Sequence, residues 1–136
     1  MSIGKLAALY GITTAVFFAI DFVWLSTATS RLYKPLLGDL LAEQPKIGVA
    51  AGFYLLYVVG ILALAVIPGL QEGSVVAALW RGALFGFLAY ATYDLTNLST
   101  IQGWPWQVSV IDMVWGTTLN TVVTAAGYYA GRWLGL

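Results

Sequence analysis

From Ile47 to Ile67 the chain runs 21 residues without a single charge. A helix needs about 20 predominantly apolar residues to cross the hydrocarbon core of a bilayer, so this stretch predicts a membrane span. Three further stretches fit the same requirement, and the expected spans are about 6–28, 47–67, 75–98 and 108–132. Composition agrees: 9% of residues are charged and mean hydropathy is +0.85, whereas a soluble domain is about 25% charged. The fold class that follows is all-α: a four-transmembrane-helix bundle forming a single transmembrane domain over 1–136. Both termini lie on one face, here called the terminal side, with the other face called the loop side. The first apolar run could also read as a signal peptide ending near Ser26-Thr27-Ala28, but Asp21 and Trp24 fall where such a segment is plainly apolar or small.

Several chemistries are excluded at once. The chain has no cysteine and no histidine, which removes disulfides, thiolate metal sites, His-held haem or zinc and Ser-His-Asp catalysis. No cofactor and no metal are expected. Net charge is zero, so no basic surface points to nucleic acid. The partner that composition does imply is the lipid bilayer.

Between the spans, Arg31 to Lys46 carries Leu32, Leu36 and Leu40 in one four-residue row and Tyr33, Leu37 and Leu41 in another. Pro35 suits a first helical turn and Pro45 a stop, so a short interfacial amphipathic helix is predicted here, against the plainer reading of a Leu-rich connector. Pro68-Gly69 is expected to end the second span, with Leu70 to Leu79 as a connection. Gln102 to Gln107 is a tight turn with Trp104 and Trp106 as interfacial aromatics. Arg81 is expected to extend its charge toward the headgroups. Gly48 with Gly52, Gly82 with Gly86, and Gly127, Gly131 and Gly135 are spaced for close helix approach. The positive-inside count ties, with Lys5, Arg81 and Arg132 against Arg31, Lys34 and Lys46, and the N-terminal amine tilts the terminal side toward the cytoplasm.

Three acids interrupt the apolar runs: Asp21, Asp94 and Asp112. A carboxylate in a membrane costs several kcal/mol and normally faces a bundle interior or a wet cavity. At 1.5 Å per residue all three fall roughly 7–10 Å below the loop-side boundary. Helical spacing adds companions. Tyr90, Asp94 and Asn97 share a face, with Tyr93 adjoining; Thr14, Asp21 and Trp24 share another; Asp112, Gly116, Asn120 and Thr124 form a stripe. Asp21-x-x-Trp24 and Asp112-x-x-Trp115 are near copies. The candidate binding layer is therefore Asp21, Asp94, Asp112, Asn97, Tyr90, Tyr93, Asn120, Trp24 and Trp115. Three like charges do not all stay ionised in a low dielectric, so at least one is expected to carry a proton, a device for proton exchange or acid/base work. An oxygen cage for a hard cation is a second use of the same groups. In a third reading each Asp merely bonds a Tyr hydroxyl, an indole N–H or an amide on the next helix.

Tyr93-Asp94-Leu95-Thr96-Asn97-Leu98-Ser99-Thr100, then Gly103-Trp104-Pro105 and Asp112-Met113-Val114-Trp115-Gly116-Thr117, together with Asp21-x-x-Trp24-Leu25, resemble the DUF2177 family of small bacterial membrane proteins. The resemblance covers essentially the whole chain. It implies a polytopic protein of the bacterial inner membrane, tilts toward lipid-related roles and supplies no established activity. Three functions follow in order. The first is binding or transport of a small or lipid-like solute with proton or cation coupling; four spans are few for a transporter, so it carries the expectation of a homodimer. The second is an enzyme acting on a lipid or isoprenoid by carboxylate acid/base chemistry, with Arg31–Lys46 as a lid. The third is a structural or accessory subunit.

Overall fold

The computed structural model describes all 136 residues, and every regular element is helical. α1 (Ile3–Ala28) starts at Ser2, whose hydroxyl accepts the Lys5 N–H at 3.2 Å, a serine N-cap. The chain does not leave the helix at Ala28. A wide π turn, Thr29–Tyr33, leads into α2 (Lys34–Leu37) and a 3₁₀ turn, Gly38–Leu40. The segment between the first two spans is thus helical as expected over much of its length, but it grows straight out of α1. Its Leu36 and Leu40 are exposed.

The cause is Pro35. Lys34 N–H bonds back five residues to Thr29 O, so the residue before proline closes a widened turn. A widened turn eases the two proline problems, a missing N–H and a ring that crowds the preceding carbonyls. The same device recurs in the next track. α3 (Ile47–Ile61) passes through a second π turn, Leu62–Val66, into α4 (Ile67–Glu72). Ile67 N–H bonds to Leu62 O, and Pro68 follows at once. The expected stop at Pro68-Gly69 is therefore overturned: the helix runs on to Glu72. The connection shrinks to Gly73, left-handed at φ 64, and Ser74. Ser74 N–H reaches Gly69 O at 3.0 Å, and its hydroxyl caps α5 (Val75–Thr100) through the Ala77 N–H. α6 (Trp106–Trp133) follows a turn at Gly103, φ 80.

Three helical tracks, Ile3–Leu40, Ile47–Glu72 and Val75–Thr100, are long and apolar enough to cross a membrane. α6 is as long but more polar, and Ser109, Asn120 and Thr124 on it are wholly enclosed by the bundle. Meanwhile Phe22, Val49, Val76 and Val114 stand exposed. Polar groups inside and large apolar groups outside reverse the pattern of a soluble protein and suit a lipid surround.

α5 and α6 make the tightest pair, in a register the glycines reveal. A Cβ on Gly82 would meet Thr124, one on Gly86 would lie 2.6 Å from Asn120, and one on Gly116 would strike the Tyr90 ring. Each four-residue step forward on α5 matches one backward on α6. One step further sets Asp94 opposite Asp112. Gly127 admits Val66 and Thr13, and Gly131 admits Leu70. Gly48 and Gly52 meet nothing within 4 Å, so the close approach expected there does not occur within this chain. Arg81 pairs with Glu72 at 3.5 Å and lies over the Trp80 ring.

The oily core, with Leu9, Val58, Ile61, Val66 and Val123 fully buried, fills the half nearer the termini. In the other half, no residue from Ile47 to Leu56 is buried. The loop-side part of α3 touches α1 through Tyr54, whose ring packs on Phe17 and Phe18, and otherwise faces mostly outward; the candidate site lies there.

Candidate functional site

The inward face of α1 steps by four through Leu9, Thr13, Phe17 and Asp21, all buried. Thr13, rather than the expected Thr14, is the fully enclosed threonine of this face, although the Thr14 hydroxyl is also enclosed without a partner. Asp21 is 4% exposed. Its Oδ1 accepts the Trp115 indole N–H at 3.3 Å, its Oδ2 is buried and makes no hydrogen bond, and the Tyr54 side chain lies close by. Asp112 Oδ1 accepts the Tyr33 hydroxyl at 2.8 Å, and that hydroxyl accepts the Trp24 indole N–H at 3.1 Å. The two indoles stack at 4.4 Å and 8°.

This arrangement accounts for the repeated Asp-x-x-Trp. α1 and α6 run antiparallel, so each tryptophan comes level with the other helix's aspartate. Trp115 serves Asp21 directly, and Trp24 serves Asp112 through Tyr33. The two bonded pairs tie α1 to α6, and stacked rings add packing that area alone does not count.

Asp94 is fully buried, and neither carboxyl oxygen has a partner. Asp112 is close enough to act on it through its side chain. The Asp94 backbone carbonyl accepts the Ser109 hydroxyl at 2.8 Å, and Ser109 in turn accepts the Trp104 indole N–H at 3.0 Å, which ties the α5–α6 turn to this level.

A cavity of about 300 Å³ opens beside these groups, the low end of the range for ligand pockets. From α1 it takes Phe17, Asp21, Trp24 and Leu25, and Tyr33 joins them from the π turn. α3 contributes Phe53, Tyr54 and Tyr57, α5 contributes Ala89, Tyr90 and Tyr93, and α6 contributes Asp112 and Trp115. Leu25, Phe53 and Tyr93 are 40%, 56% and 57% exposed, so the cavity is open to the outside beside α3.

Six of the nine residues expected from sequence line this cavity: Asp21, Asp112, Tyr90, Tyr93, Trp24 and Trp115. Three do not. Asp94 sits behind Asp112. Asn120 lies deeper, where its Oδ1 accepts the Tyr57 hydroxyl at 3.0 Å and its Nδ2 donates to Gly116 O at 2.7 Å. Asn97 lies one turn beyond Tyr93, half-buried near the end of α5. No three acids approach closely enough to hold a metal ion. Tyr33, Tyr54 and Tyr57 also line the cavity, although helical spacing to the acids does not single them out. The signal was present for two of them, because a phenol within an apolar span needs a partner for its hydroxyl.

Fold and site together define a multi-pass helical integral membrane protein with an aromatic cavity in one half of its bundle. The chain belongs to the family described as "Predicted membrane protein (DUF2177)", whose pattern matches residues 6–129. No curated protein and no solved structure matches it.

Proposed function

We propose that this protein, a single domain in the bacterial inner membrane, binds and transports a small, largely apolar solute that enters from the lipid. The supporting observation is the cavity wall, where aromatic rings surround Asp21, a buried carboxyl with one unpartnered oxygen. Keeping such a group unpaired costs free energy, and a ligand that satisfies it recovers that cost. Asp94, unpartnered beside Asp112, supplies a route for exchanging a proton with the wall. A homodimer is the form that a transport role calls for.

The test fills the cavity. Ala89 lies in its wall, and Ala89→Trp adds an indole there. Tryptophan fluorescence of the protein in lipid nanodiscs is titrated with hexan-1-ol, hexylammonium and hexanesulfonate, against empty discs. Wild type is expected to bind at least one, and Ala89→Trp to bind none while keeping its helical circular dichroism. Equal binding by both proteins would reject the cavity as the site.

The bonds from Trp115 to Asp21 and from Tyr33 to Asp112 favour a second reading, in which the acids lock α1 against α6. It predicts no saturable binding of any probe, with lowered stability as the sole effect of altering either acid.

A further inference from the structure

We infer that the solute is an organic ammonium: a compact cation carrying at least one N–H and a short apolar body. This rests on the cavity being a binding site, as proposed above, and it names the chemistry that the wall selects.

Three observations converge. Of the 13 residues around the cavity, nine are aromatic and two are acids, so nearly every surface a ligand meets is a ring or a carboxyl. No lysine or arginine is among them. All six basic side chains of the chain, Lys5, Arg31, Lys34, Lys46, Arg81 and Arg132, lie elsewhere. An anionic solute would therefore enter a place with two acids and no counter-charge, and like charges in a low dielectric repel strongly. Lastly, Asp21 Oδ2 is enclosed and makes no hydrogen bond. It is an acceptor open to an N–H or O–H: the Trp115 N–H goes to Oδ1 and the Tyr33 hydroxyl to Asp112, and the Tyr54 hydroxyl lies close to this carboxyl without closing a bond to Oδ2.

An alcohol would satisfy Oδ2 but leave the rings without an electrostatic role. An ammonium uses both. Ring faces attract a cation, the more strongly when water is excluded, and the N–H to carboxylate bond is charge-assisted. Size agrees: a volume of about 300 Å³ holds on the order of ten heavy atoms at roughly 30 Å³ per water-sized group. The exposed edge at Leu25 and Phe53 leaves room for a tail to protrude.

The experiment compares the three six-carbon probes by head-group charge on the wild type, Asp21→Asn and Asp112→Asn in nanodiscs. Hexylammonium is expected to bind at least about tenfold more tightly than hexan-1-ol, with hexanesulfonate weakest. Asp21→Asn is expected to remove that preference while hexan-1-ol still binds, which also shows that the variant's cavity has formed. Asp112→Asn, at a half-buried position, gives a second reading should Asp21→Asn fail to fold. Equal binding of hexan-1-ol and hexylammonium, competition by hexanesulfonate, or a preference intact in both variants would overturn the ammonium assignment and leave the cavity standing. Binding of none of the three would overturn the cavity reading itself and the ammonium assignment with it.

Discussion

Gly116 shows how a single hydrogen atom sets the geometry of this site. A methyl group there would collide with the Tyr90 ring, one of the cavity walls. Gly116→Ala is expected to lower stability by about 1–3 kcal/mol, as overpacking does, and to shift the ring. Gly52 faces open space, so Gly52→Ala is expected to be neutral or to stabilise by up to about 1 kcal/mol through the lost flexibility of glycine. Unfolding in mixed micelles would compare the two. Tyr33 is the other residue on which much turns, since it both accepts from Trp24 and donates to Asp112. Tyr33→Phe keeps the ring and removes both bonds. It is expected to cost about 1 kcal/mol in the same assay, given that bonds between membrane helices are individually modest.

At the scale of the helix, the two π turns explain why proline misleads here. Proline ordinarily punctuates a helix, so Pro35 and Pro68 read as boundaries. In the structure each follows a turn widened by one residue, and the helix passes through. A residue added by a π turn rotates everything beyond it. Deleting Ala63 together with Pro68→Ala should therefore convert the turn Leu62–Val66 to ordinary α-helix with the faces on both sides preserved. The same single deletion at Val58, in the last turn of α3, would swing the buried Ile61 and Val66 out of the core. Folded yield in detergent and helical circular dichroism are expected to be near wild type for the first and lost for the second.

The stripe on α6 was legible because Asp112, Gly116, Asn120 and Thr124 repeat at helical spacing. Its partner was not, because register depends on which glycine admits which side chain. The hydroxyls of α3 were passed over for a related reason: a span with no charge offers no landmark, although Tyr54 and Tyr57 carry the only polar side chains in it. Helical spacing alone groups Asn97 and Asn120 with the acids, and depth within the bundle separates them.

For the whole molecule, the register of α5 on α6 sets Asp94 opposite Asp112, behind the cavity wall and not in it. On the proposed reading, solute binding and proton coupling are then separable. In proteoliposomes with an imposed pH gradient, Asp94→Asn is expected to cut gradient-driven uptake of hexylammonium by about tenfold or more, while nanodisc affinity stays within about twofold. Such a split marks a group that acts on transport through its coupling to Asp112 without contacting the solute. Unchanged uptake would remove Asp94 from the proton path.

From Ile47 to Leu56 α3 carries no buried residue, and the cavity opens outward on the flank beside its Phe53. On the proposed reading, acyl chains fill that flank, and solute reaches the rings by sliding sideways out of a leaflet. What governs occupancy is then the mole fraction of solute among lipids. Diluting the protein into more bilayer at fixed total solute would empty the site, and adding buffer would scarcely change it for a solute that partitions strongly.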